Sequence, residues 1–455
     1  MLRPTAGKGP RPLLILALFL VFSLTAAGRT PSLRGCSIYI LDPVRDLGQP
    51  ACDLTSTRVW PFASASNKLQ AAGPLQPWEH QHAVNYWTAE AIKVAGVRAP
   101  SLHAADLIFL HSHCYEQWRL GWWWERRGHN LAGLLPESDQ YLRRTMRLLQ
   151  TWPQWRESNG SRFVVSPFHP STYTETVNAM RPCNSSVFSL VATHAQFCTK
   201  RREEHERQGL ILPFVTEFRD RGPQALAGKR DMLLFYKGGC ADPAARARYA
   251  WGKLQRLAFV TATKPHLGAD VDVNCGCDVC PRGMNRNEMM ARMQRSVFCA
   301  VLAGDAQTSR RQAESVLRGC IPVYIGPGFH TLPLAHAIDH ASFSVFIRVR
   351  NVTWTMGANG ANVGANGPDV GGAWYLDAPV PEAEIATVGD LGDVVGYLRK
   401  LPPQVVAAKQ AALAREYHKF SYRARRGEAL SGAQRIVLGR LCERARQWRA
   451  RADVG

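Results

Sequence analysis

Two adjacent arginines and a glutamate, Arg310, Arg311 and Glu314, lie three and four residues apart. On a helix that spacing brings all three to one side. Guanidinium groups so placed are charge-assisted donors for a phosphate or diphosphate, and a carboxylate beside them can accept both hydroxyls of a ribose. The neighbouring residues predict the helix. Ser309 with Gln312 fits a capping box, in which Ser holds an orphan N–H and Gln reaches back. A helix entered this way presents free N–H groups and the positive end of its dipole, which suits an anion. Ala313, Val316 and Leu317 supply an apolar stripe and Gly319 ends the helix. Upstream, the apolar run Val297–Leu302 reads as a buried strand broken by Gly304 and Asp305, and Cys320–Ile325 reads as the next strand. Arg–Glu pairs at helical spacing are usually solvated surface pairs. The glycine turn, the cap and the following strand favour a pocket for a nucleoside diphosphate, because ligands bind at the carboxyl ends of such strands.

This segment resembles the exostosin family of glycosyltransferases (glycosyltransferase family 47). The residues that carry the resemblance are Phe298-Cys299, Gly304-Asp305, Ser309, Arg311, Glu314 and Gly319-Cys320-Ile321-Pro322-Val323. Fainter similarity extends over roughly residues 80 to 425, through Tyr86 with Glu90, Ala105–Phe109, Phe163–Ser166, Arg230–Gly238 and Phe343–Val345. The resemblance implies an α/β fold of GT-B type, with two Rossmann-like domains facing a cleft. It also implies inverting transfer of a sugar from a UDP-sugar donor to a polysaccharide or glycoprotein hydroxyl. Lys237 and Gly238, after the strand Met232–Tyr236, become a second phosphate contact by the same resemblance; a lone lysine there is otherwise merely solvated. Protein cations would take the place of a metal in this design, so no cofactor is required.

The general base should lie on the amino-terminal domain, at a strand end. His169, following the strand Phe163–Ser166, is the first candidate, with an imidazole suited to proton transfer near neutrality. The chain departs here from the family, which usually carries His-Asp soon after this strand, whereas Pro167-Phe168-His169 stands in this sequence. His111 and His113, ending the strand Leu107–Leu110, compete for the role.

The elements that must position these residues follow from the apolar pattern. At 455 residues, with 46% hydrophobic and 20% charged residues, the chain has ordinary globular composition and enough length for two cores. Arg3, Lys8 and Arg11 precede an uncharged run, Pro12 to Ala27. That run is short for a membrane span, and Thr25–Gly28 also suits signal-peptide cleavage. The resemblance favours an uncleaved anchor, in agreement with the positive-inside rule. Residues 1–29 are thus expected to anchor a single-pass type II protein of Golgi membranes. Residues 30–80 form a stem with a first strand from Cys36 to Leu41, 81–225 an acceptor domain, 226–400 a donor domain, and 401–455 closing helices and a basic tail. Strands are expected at Leu107–Leu110, Arg162–Ser166, Val187–Thr193, Leu210–Phe214, Met232–Tyr236, Leu257–Ala262, Val297–Leu302, Cys320–Ile325 and Phe343–Val349, alternating with helices such as Gln81–Ala95 and Ser138–Trp152. Gly357–Gly372 repeats Gly-Ala-Asn and reads as a surface loop.

Twelve cysteines suit an oxidising lumen. Cys275, Cys277 and Cys280 with Cys240 admit a structural zinc, but the compartment favours disulfides, and no catalytic metal is expected. Sequons stand at Asn159, Asn184 and Asn351. A net charge of +20 in a luminal protein points to anionic nucleotide-sugars, acidic glycans or membrane surfaces rather than nucleic acid. Trp118, Trp122, Trp123 and Trp124 with Tyr115 could stack on acceptor sugars or fill a core. A noncatalytic luminal protein that keeps the fold and binds glycan or a partner glycosyltransferase is the alternative reading. A sulfotransferase lacks support, because its lysine-bearing phosphate loop is missing.

Overall fold

The computed structural model describes residues 33–49, 83–112, 137–166, 186–191, 207–216, 226, 228–240, 250–276, 284, 286–303, 308–326, 332–351, 354–355, 362–364, 367–368 and 380–452. Its first sheet has five parallel strands in chain order: β1 (Ile38–Leu41), β2 (Leu107–Leu110), β3 (Phe163–Val165), β4 (Phe188–Val191) and β5 (Gly209–Ile211). These strands are short and nearly all apolar because both faces are covered. Phe109 and Val164 turn towards the helix α1 (Val84–Val94), where they join Ala89 and Ile92. Ile108, Leu110 and Val165 turn the other way, onto Leu142, Met146 and Leu149 of α2 (Glu137–Thr151).

The second sheet is also parallel. Its strands are β6 (Met232–Gly239), β7 (Val271–Gly276), β8 (Ser296–Val301), β9 (Ile321–Ile325), β10 (Val345–Val349) and, after a small antiparallel sheet, β14 (Ile385–Val388). They lie in the order β14-β10-β9-β8-β6-β7. The antiparallel sheet consists of β11 (Trp354–Thr355), β12 (Asn362–Gly364) and β13 (Gly367–Pro368). Part of the Gly-Ala-Asn repeat, expected as loop, therefore pairs as strand. Helices α3 (Ala250–Thr263), α4 (Arg286–Arg295) and α5 (Arg310–Leu317) connect strands of the parallel sheet, and α6 (Asp393–Arg399), α7 (Pro403–Glu416) and α8 (Gly432–Ala452) follow it.

Leu257–Ala262 is helix, not the expected strand. Burial there falls on Gln255, Phe259 and Thr263, at intervals of four, and that period belongs to a helix. Read without its flanks, the short apolar run fits either element.

Among the described residues the two sheets are joined by shared packing and by hydrogen bonds. One apolar core runs through both and includes Val437, Leu438 and Leu441 of α8. The N–H of Leu334, beyond the carboxyl end of β9, donates to the carbonyl of Ile211 at the carboxyl end of β5 (2.8 Å). The Tyr422 hydroxyl donates to the Pro213 carbonyl (3.1 Å). The last helix, α8, packs back onto the first sheet, where a disulfide links Cys442 to Cys36 ahead of β1, Cα atoms 5.1 Å apart. Arg444 on α8 donates to the carbonyls of Ser161 (3.1 Å), Ser186 (2.7 Å) and Arg207 (3.3 Å) and lies over the Phe188 ring. The basic tail is thus partly built into the fold. Among the described residues no helix is long and apolar enough to cross a membrane, and the expected anchor, residues 1–29, lies outside them.

Candidate functional site

Helix α5 starts at Ser309, whose extended backbone (φ −140°, ψ 139°) and hydroxyl, accepting from the Arg311 N–H at 3.3 Å, make an N-cap. Only this half of the expected capping box forms. The Gln312 side chain instead donates to the buried Tyr324 hydroxyl of β9 at 2.5 Å, which satisfies both buried polar groups and ties the helix to the sheet. At the other end, Gly319 adopts φ +67° and the Cys320 N–H donates to the Ser315 carbonyl at 3.0 Å, the bonding of a Schellman stop. Arg230 closes the same corner. Its guanidinium donates to the carbonyls of Gln294 in the last turn of α4 (2.9 Å), Ser296 at the start of β8 (2.7 Å) and Arg318 just past α5 (3.2 Å). A Cβ on Gly319 would run into it.

The helix start carries the charges. Arg310 Nε lies 2.6 Å from one oxygen of Glu314, and an Arg311 Nη contacts the other. The Glu314 side chain is 1% exposed, against 24% and 21% for the two arginines. Burial pushes its carboxyl pKa up, but the two guanidiniums outweigh this and hold it below the ordinary glutamate range. Both carboxylate oxygens face arginine, so a ribose contact from Glu314 requires an arginine to release one of them.

Lys237 comes from the neighbouring strand. Arg311 Nε donates to the Lys237 carbonyl, which joins the end of β6 to the start of α5. The lysine is 7% exposed, and its ammonium donates to Asn274 Oδ1 (2.9 Å) and the Cys275 carbonyl (3.5 Å) of β7. Burial lowers its pKa; Asp272 opposes that and Arg311 adds to it. Gly238 passes so close to the buried Tyr236 hydroxyl that a Cβ would collide with it. Cys240 and Cys275, read as potential zinc ligands, form a disulfide (Cα–Cα 5.5 Å) across the ends of β6 and β7. A second disulfide, Cys299–Cys320, joins β8 to the entry of β9 and closes the segment that carries α5.

The structure thus brings Lys237, Gly238, Ser309, Arg310, Arg311 and Glu314 together at the carboxyl edge of the second sheet. Gly304, Asp305, His113, His169, Cys277, Cys280, Asn184 and the aromatic stretch around Trp122 lie outside the described residues. Asn159 and Asn351 are exposed, as glycosylation requires. Asn274, Tyr236 and Arg230 were missed by the sequence reading. The alternation Val271-Asp272-Val273-Asn274 is the signal that would have found the strand bearing Asn274. Among the described residues no group of three or more His, Cys, Asp or Glu is arranged to hold a metal. Three cations and one carboxylate thus stand at the start of α5, residue types whose chemistry suits an anion.

The model of the Exostosin GT47 domain matches residues 32–356. An 84-residue stretch, 18% of the chain, is 34% identical to a probable xyloglucan galactosyltransferase of Arabidopsis thaliana, of which it covers 16%. A longer stretch, 44% of the chain, is 25% identical to a probable arabinosyltransferase of the same plant and covers 40% of it. The aligned regions span less than half the length of these relatives. The family match covers well over half of the chain and includes Lys237, Arg310, Arg311 and Glu314, so this protein belongs to the exostosin GT47 family.

Proposed function

We propose that the protein is an inverting glycosyltransferase that moves a sugar from a UDP-sugar to a hydroxyl of a polysaccharide or glycoprotein. The convergence of Lys237, Arg310 and Arg311 at the start of α5 is the observation that carries this reading. As the glycosidic bond to the donor breaks, negative charge gathers on the diphosphate. Preorganised cations at that point stabilise the transition state. Glu314, locked between the arginines, holds their guanidiniums in place. The residues suit a nucleoside diphosphate without assigning its sugar. Membership of a family whose relatives bear glycosyltransferase names supports the reaction class.

The two parallel sheets support a GT-B arrangement, with the acceptor held by residues 81–225 and the donor by 226–400 across a cleft. The bond from Leu334 to Ile211 supports it as well, because it joins the carboxyl edge of one sheet to the segment beyond that of the other. The uncharged run Pro12–Ala27 behind three basic residues supports a type II anchor and a luminal body in the Golgi.

A panel of UDP-sugars tests the proposal. The cognate donor should raise the melting temperature of the wild-type protein and support transfer to a glycan acceptor, and Arg311→Ala should lose both. Stabilisation without transfer or donor hydrolysis would identify a noncatalytic binder. No stabilisation by any UDP-sugar would refute the proposal.

A further inference from the structure

At the carboxyl edge of the first sheet, Asn85, His111 and Ser166 carry buried polar atoms without a hydrogen-bond partner, and Thr88 adds a fourth one turn deeper along α1. The register pairs Leu41 with Leu110 and Phe109 with Val164, so the residues just past the strands stand in a row, with His111 between Asp42 and Ser166 and about 5 Å of backbone spacing to each. The His111 N–H donates to the Leu41 carbonyl (2.9 Å) and fixes this register. Phe109 and Val164 face α1, and strand alternation carries His111 and Ser166, two residues on, to the same side. From α1, Asn85 reaches into this corner and donates to the Leu110 carbonyl (3.0 Å) and the Ser112 hydroxyl (3.2 Å). Thr88 lies one helical turn further along.

Asn85, Thr88 and Ser166 are 0%, 2% and 0% exposed. Asn85 Oδ1, Thr88 Oγ1, His111 Nε2 and Ser166 Oγ are all buried and unpartnered. Buried polar atoms are rarely left unpaired, and such groups call for a ligand or bound water. The set comprises an amide oxygen, two hydroxyls and a ring nitrogen, which match the hydroxyls of a neutral sugar. The anion-binding edge of the second sheet is built from cations instead. The two carboxyl edges come together where Leu334 bonds to Ile211.

We propose that Asn85, Thr88, His111 and Ser166 form the acceptor subsite, and that His111 is the general base for the attacking hydroxyl. This rests on the transferase reading above. In the step, the acceptor oxygen bonds to the anomeric carbon of the donor and its proton passes to His111 Nε2. The bond from that carbon to the diphosphate oxygen breaks, and its electron pair leaves with the diphosphate towards Lys237, Arg310 and Arg311. Burial and Lys93 of α1 lower the His111 pKa, while Asp42 after β1 and Glu90 of α1 oppose them, and the net shift is downward. The ring is therefore neutral, and able to accept a proton, at neutral pH.

The test uses the full chain with the cognate UDP-sugar. His111→Gln should reduce kcat by about 10²–10⁴-fold and leave UDP affinity unchanged. The acid limb of the wild-type pH–rate profile should lie below the ordinary histidine value of 6.5 and vanish in the variant. A kcat within threefold of wild type with the acid limb intact would overturn the assignment. If His111→Gln does not fold, Ser166→Ala and Thr88→Ala should each raise the acceptor KM several-fold with the donor KM unchanged, and an unchanged acceptor KM would likewise overturn the subsite. A wild-type chain that binds no UDP-sugar fails at the donor site, separately from these variants, and takes the inference with it.

Discussion

At the residue scale the protein places a carboxylate where a carboxylate alone would be costly. Glu314 is fully buried, and two guanidiniums keep it ionised. Removing one partner of a buried ion pair leaves uncompensated charge, at about 3–5 kcal/mol. Glu314→Gln should therefore destabilise the fold by about 3 kcal/mol near neutral pH, read as a shift in urea midpoint. The folded pKa lies below the unfolded value of 4.5, so this contribution is fully present above that value. It is lost as pH falls through the folded pKa. The gap between wild type and variant should accordingly be flat down to about pH 4.5 and close only in more acid solution. A gap that is already closed at pH 5 would contradict the ionised triad. Much of this site was legible in the sequence, because residues on one helix are related by spacing alone. Asn274 and Arg230 were not, since a partner from another element is a property of the fold.

At the scale of elements, each unit that positions the site is closed covalently or by a buried hydrogen bond. Cys299–Cys320, separated by 21 residues, encloses the stretch that runs through α5. In the chain-entropy account a loop of that size contributes about 3 kcal/mol. Replacing both cysteines by alanine should lower stability by that order and weaken UDP binding, whereas unchanged stability would show that the noncovalent contacts of α5 hold it without the disulfide. The sequence predicts the central strands well and misses β7 and β14. Those two are the edges of the second sheet, where an edge strand has a neighbour on one side only. Val271–Gly276 alternates apolar and polar residues, and Ile385–Val388 offers only four residues. The central strands read as continuous apolar runs, which are easier to see. Helix α3 was lost for the opposite reason, as its apolar run is too continuous to reveal a period.

At the scale of the whole molecule, the chain is fastened at both ends of the described fold. The disulfide from Cys36 to Cys442 spans 406 residues and makes α8 a part of the first sheet's packing. Arg444 is the main polar contact of that docking. Burial lowers its guanidinium pKa to about 10, and the backbone carbonyls of Ser161, Ser186 and Arg207 accept its hydrogen bonds. Arg444→Ala should therefore cost about 2–4 kcal/mol and expose α8 to protease under reducing conditions, with Arg444→Lys intermediate. Equal protease resistance in wild type and Arg444→Ala would mean that apolar packing holds the helix unaided. The sequence reading gives closing helices and a basic tail over 401–455 but not the sheet on which they pack. Arg444 of the basic tail is built into the fold, because its partners come from segments 237 to 283 residues away in sequence.

The central claim is that guanidinium groups at the start of α5, with Lys237, grip a nucleoside diphosphate. Calorimetric titration of UDP into the wild-type protein and into Arg311→Ala tests it most directly. The account predicts saturable one-to-one binding to the wild type and at least a tenfold loss of affinity in the variant, about 1.4 kcal/mol, with the fold intact. Equal UDP affinity in the two proteins would contradict it.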